Sequence, residues 1–195
     1  MAAQDAAETV EFSWAGETFS MPKPKGYCFP QGEQQIAESE AFAASDPDNA
    51  LLTDLHLCGA YSVVSIHVAT PRNTPAINLP RSELTRLVGQ QVSDAMVNEA
   101  FDEVEEEVAE NDGRDLNMDS RDFGPAGYDE DCAYIAGAVD IASDGTSQTK
   151  RMSICMTLVG TRLLAVYVID GRSDGESVEA LRARSRAVAR SISLQ

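Results

Sequence analysis

The sequence predicts an α+β fold: a largely antiparallel sheet with a long central helix and a C-terminal helix packed on it, an α/β/α sandwich. Three observations carry this expectation. Between Cys132 and Asp170, three apolar segments are separated only by short turns. From Leu84 to Val108, apolar residues recur every three or four positions, as on the buried face of a helix. Val178, Leu181, Ser185, Val188 and Ile192 repeat that spacing at the end of the chain. Helices segregated around consecutive strands form a layered α+β fold.

Each element has its own local cause. Residues 1–9 read as a disordered lead-in, and residues 10–195 as a single domain. The start Ala2-Ala3-Gln4-Asp5-Ala6-Ala7 has the small, polar character left after signal-peptide removal. Val10–Trp14 and Glu17–Met21 alternate apolar and polar residues around Ala15-Gly16, which predicts a hairpin. Pro22 and Pro24 end it, because proline cannot donate to a ladder. Tyr27–Phe29 reads as a short strand, Gly32–Ala44 as a helix whose apolar set is Ile36, Ala37 and Ala41, extended by Phe42, and Asp46-Pro47-Asp48-Asn49 as a turn. Leu51–Cys58 and Tyr61–Thr70 are strands joined through Gly59-Ala60. Pro71–Pro80 is a loop, and Ser82 is placed to cap the long helix, which Gly89 divides. Asn111–Gly127 has turn chemistry and reads as a long loop. The meander Cys132–Ile141, Arg151–Val159, Arg162–Asp170 follows, with Asp144-Gly145 as a hairpin signal. Ser173 or Asp174 then caps the last helix.

The totals narrow the function. A chain of 195 residues with 43% hydrophobic residues is long enough to build a core. No apolar run reaches the length of a membrane span. Net charge is -17, from 15 basic and 32 acidic residues. A field of that sign repels phosphates and anionic lipid surfaces, which argues against nucleic acid as a partner. The acidity is uneven. Asp102–Asp131 carries 13 carboxylates against Arg114 and Arg121, whereas Arg172–Gln195 is net positive.

The order of elements resembles the PsbP-like and DcrB-like superfamily of small α/β/α sandwiches. The residues behind the resemblance are the turn Pro24-Lys25-Gly26-Tyr27 after an opening hairpin, the long helix before the meander, and the ending Ser191-Ile192-Ser193-Leu194. It covers roughly residues 10–195 and implies an exported protein that binds or assembles rather than catalyses. No functional residue is transferred by it.

Candidate sites follow from side-chain chemistry. Cys28, Cys58, Cys132 and Cys155 allow three pairings. Cys28–Cys58 with Cys132–Cys155 is preferred, since the second pair joins neighbouring strands. A two-residue Asp144-Gly145 turn, however, sets Cys132 opposite Thr157, so that bridge asks for a longer loop or a bulge. Paired cysteines place the protein in the periplasm or outside the cell. Asp102, Glu103, Glu106, Glu107, Glu110 and Asp112 form an acidic interaction face for a basic protein partner. Asp115, Asn117 and Asp119 mimic the first ligands of a calcium loop, but Ser120 and Ala126 stand where that loop needs Gly and Glu. No cofactor is otherwise expected. His56, with Asp54 two residues before it, is the one pair that fits a small hydrolase, and His67 alternates with Ile66 and Val68 as an outward-facing residue does. No Gly-x-Ser-x-Gly, Walker loop or Gly-x-Gly-x-x-Gly occurs. The expected function is therefore a non-enzymatic exported binding or assembly protein, with the hydrolase and a calcium-stabilised module as alternatives.

Overall fold

A computed structural model describes residues 8–44, 46–59, 64–112, 116–119, 122–143 and 145–195, without the side chains of 107–112, 116 and 143. Strands β1 (Thr9–Trp14) and β2 (Glu17–Pro22) form the expected hairpin. Ala15 at φ 50 and Gly16 at φ 83 make the left-handed turn that matches strand twist. The Glu8 carbonyl accepts from Lys23 N, which carries the hairpin's hydrogen bonding one residue before β1. β3 (Tyr27–Cys28) leads to α1 (Gly32–Ala44), then β4 (Asn49–Leu57) and β5 (Val64–Pro71).

Helix α2 (Arg81–Gln91) and helix α3 (Asp94–Asp112) follow. The break falls at Val92-Ser93, not at Gly89. Val92 turns extended, and Ser93 Oγ accepts from Met96 N to start the new helix. Gly89 instead makes room for a neighbour. A Cβ there would lie 2.7 Å from the Tyr128 side chain, so glycine lets that residue approach. Pro80, not Ser82, precedes the first turn of α2.

The segment expected to be a long loop contains two strands, β6 (Leu116–Asp119) and β7 (Gly124–Tyr128). Both pair with the same edge of β8 (Ala133–Ser143), β6 near its end and β7 near its start. The turn-rich composition concealed them because their stability comes from that edge. Where the chain passes from one to the other it crosses Gly137, and a Cβ on Gly137 would meet the Asp122 carbonyl at 2.1 Å. The meander is as expected: β8, β9 (Thr146–Val159) and β10 (Arg162–Asp170). Helix α4 (Val178–Ser191) is capped by Ser177, whose Oγ accepts from Ala180 N at 3.2 Å, and β11 (Ser193–Leu194) closes the chain.

The sheet order is β3-β4-β5-β10-β9-β8-β6, with β7 beside β8, and every pairing is antiparallel. A smaller sheet, β1-β2-β11, lies apart. One face of the large sheet carries the main core: Leu55, Ile66, Val68, Leu164 and Val166 pack with Phe12 and Phe19 of the small sheet and Leu181 and Val188 of α4. The opposite face holds a second cluster, Val97 and Phe101 of α3 with Phe123, Val139 and Ile154. Residues of opposite parity on the strands thus face two covered layers, and the α+β sandwich follows.

Both preferred disulfides form, Cys28–Cys58 and Cys132–Cys155, each with Cα atoms 5.2 Å apart. The bulge expected for the second is absent. Ser143 pairs with Thr146 and Tyr134 with Cys155. The register is therefore that of a two-residue connection, and Cys132 reaches Cys155 along the diagonal.

Candidate functional site

Two regions carry unusual chemistry. The first is a polar tile in the sheet. Asp54 and His56 alternate on β4, Ser65 and His67 on β5, so each pair projects from one face. The strand register sets Asp54 opposite His67 and His56 opposite Ser65. Four polar side chains are thereby brought together at 6%, 2%, 6% and 3% exposure. His56 Nε2 lies 2.9 Å from Asp54 Oδ2, and Ser65 Oγ lies 2.8 Å from His67 Nε2. His67 Nδ1 is 3.0 Å from Asp54 Oδ1, within charge contact but off the hydrogen-bond axis. His56 Nδ1 has no hydrogen-bond partner among the described residues.

Helix α1 covers the tile. The Phe42 ring stacks on His67 at 3.9 Å between centroids, and the Ser39 side chain bonds the Asp54 carboxylate. Burial by itself would push the Asp54 carboxyl up. Contacts from His67, Ser39 and His56 outweigh it and hold the group below its ordinary value. His67 does not face outward as its alternation suggested. A strand pattern marks two faces, but it cannot say that a helix closes the second. Of the apolar set read in the sequence, Ile36 is 46% exposed, and α1 buries no residue completely.

The Asp54–His56 pair, which the sequence suggested for a hydrolase, is buried. Two grooves among the described residues lie elsewhere. One, of about 360 Å³, runs between the turn after β2 and α4, lined by Lys23, Lys25, Tyr27, Arg184 and Ala187. The other lies along α4 at Ala183, Arg186, Ala187 and Arg190.

The second region is the outer face of α3. Glu99, Asp102, Glu103 and Glu106 are exposed there, and no ion pair joins them to a basic group among the described residues. Glu107, Glu110 and Asp112 continue the helix, but their side chains lie outside the described ones. Some carboxylates elsewhere are compensated. Asp131 meets Arg186 at 2.9 Å, Arg81 at 3.6 Å and Arg190 at 3.7 Å, and Glu17 meets Arg162.

Of the calcium candidates, Asp115 lies outside the described residues. Asn117 and Asp119 sit on β6, paired with Ala142 and Asp140. Among the described residues no cluster of three His, Cys, Asp or Glu is arranged to hold a metal ion, and no helix is long and apolar enough to cross a membrane.

No protein-family model matches the chain, and no curated protein matches it. Among solved structures, the chain is similar to cyanobacterial PsbP (CyanoP) from Synechocystis sp. PCC 6803. The match spans 100% of this chain and 97% of that one, at 12% identity and a TM-score of 0.45. This PsbP-like resemblance agrees with the one in the order of elements; the fold description itself rests on the strand pairing above.

The residues that sequence reasoning missed are Ser39 and Ser65, together with the burial of His67. The usable signal was the repeated i, i+2 spacing of Asp54-x-His56 and Ser65-x-His67. Only the cross-strand register shows that the two pairs meet.

Proposed function

We propose that this chain is a non-enzymatic exported binding or assembly protein whose acidic α3 face receives a basic protein segment. The observation behind this reading is the contrast in charge compensation. Asp129 and Asp131 are held by Arg186 of α4, whereas Glu99, Asp102, Glu103 and Glu106 stand in solvent with no such pairing among the described residues. An uncompensated acidic stripe raises the local concentration of a basic partner and speeds its encounter. Two disulfides fit maturation in an oxidising compartment outside the cytosol.

The experiment uses a lysine- and arginine-rich peptide and the intact, oxidised protein. Affinity is measured by calorimetry from about 20 to 300 mM salt, a range over which the Debye length falls severalfold. Binding should weaken steadily with salt. The triple variant Asp102→Lys, Glu103→Lys, Glu106→Lys, exposed at all three positions, should lose it while keeping its melting temperature. Affinity that is flat in salt, or untouched by the reversal, refutes the reading.

A further inference from the structure

Beyond that reading, the buried tile has a consequence of its own. One carboxylate, Asp54, faces two imidazoles, His56 and His67, at 2.9 and 3.0 Å. A single carboxylate balances a single imidazolium. A second proton would leave an uncompensated cation in a site sealed from water, which is unfavourable unless the site opens. The cover over that site is the helix with the least hold on the core: α1 buries no residue, and its contacts with the tile run through Ser39 and Phe42. The Cys28–Cys58 bridge closes the loop that contains α1, so the helix can lift without leaving the molecule.

We propose that Asp54, His56 and His67 form a pH-sensitive latch: it holds α1 on the sheet near neutral pH and releases it when the second imidazole takes up a proton.

The other charged and titratable groups around the tile have separate partners. Glu38 of α1 interacts with Lys150 of β9, and Asp46, in the turn before β4, interacts with Tyr167 of β10, whose ring meets Phe42 edge-on. Cys28 of β3, opposite His56, is held in its disulfide. Carboxylates, amines and phenols ordinarily titrate outside the interval from pH 5 to 7.5, whereas free imidazoles titrate within it.

The direction follows from proton linkage. At the acid end, where the open state carries both protons and the closed state one, the open state binds one proton more, so acid favours opening. Each proton by which the two states differ changes the opening equilibrium by up to tenfold per pH unit.

Amide hydrogen exchange of the oxidised protein, corrected for the intrinsic pH dependence of exchange, reads this equilibrium for α1. The expected result is a severalfold rise in α1 opening from pH 6 to pH 5, with α4 amides unchanged. In His56→Gln, which leaves one imidazole per carboxylate, the rise should fall below threefold. Imidazole NMR titration of the unmodified protein supplies a second test that needs no variant to fold. The second imidazole should take up its proton together with the loss of α1 protection. If both imidazoles protonate while α1 stays protected, or if α1 opening changes less than threefold in the unmodified protein, the latch does not exist. A full pH response retained in a folded His56→Gln variant equally overturns it.

Discussion

Asp170 offers the sharpest energetic test of how the chain is held after its last long strand. Its carboxylate is fully buried at the end of β10. Oδ1 accepts from Arg172 N and Nε at 3.0 Å, and Oδ2 accepts from Arg172 Nη2 at 2.7 Å and Glu176 N at 3.0 Å. Gly175 passes so close that a Cβ there would lie 2.6 Å from Oδ1. Burial alone would raise the carboxyl, but these donors outweigh it and hold the value down to about 2 from an ordinary 3.8. At about 1.36 kcal/mol per pH unit, that depression corresponds to about 2.5 kcal/mol of stability at pH 7. Because the folded value is depressed, the contribution is complete above the unfolded value near 4. It is lost as pH falls through 2. Asp170→Asn removes the charge and should destabilise the protein by about 2.5 kcal/mol at pH 7, or about 5–10 °C in melting temperature for a chain of this length. Urea unfolding of both proteins from pH 7 to pH 2 measures it. The gap should close as the pH approaches 2. A gap under about 0.5 kcal/mol at pH 7, or one that stays constant across the range, would refute the assignment.

The other structural expectations concern the staples and the crossing of the chain. Removing the Cys132–Cys155 bridge, which closes a separation of 23 residues, should cost about 3.4 kcal/mol in the chain-entropy model. Urea unfolding of Cys132→Ala/Cys155→Ala against the oxidised protein checks this, and equal midpoints would contradict it. Gly137→Ala puts a methyl group against the Asp122 carbonyl and the Phe123 backbone, neither of which can rotate away. It should cost about 3 kcal/mol and loosen β7 selectively, seen as faster hydrogen exchange over Gly124–Tyr128 than in α4.

Some of this was legible from residue order alone, because it depends on neighbours in the chain. The apolar alternation and turns of residues 132–170 specify a meander whatever packs on it, and the opening hairpin needs only its Ala15-Gly16 turn. Helix bounds such as Gly32–Ala44 follow from local propensity. The cysteine pairing came from element order, although its diagonal geometry did not. The acidic run of α3 could be read as exposed because a buried stripe at helical spacing leaves the charges on the far side.

Residue order therefore accounts for most of the local elements, the two disulfide partners and the sign of each surface. Long-range packing accounts for where β6 and β7 pair, since neither has a pattern strong enough to form without the edge of β8. It also sets the fate of the histidines. Asp54, His56, Ser65 and His67 become one buried tile only because the register of β4 against β5 aligns them and α1 closes over them. Contacts between residues far apart in the chain fix that register and that cover, and local spacing holds no record of them.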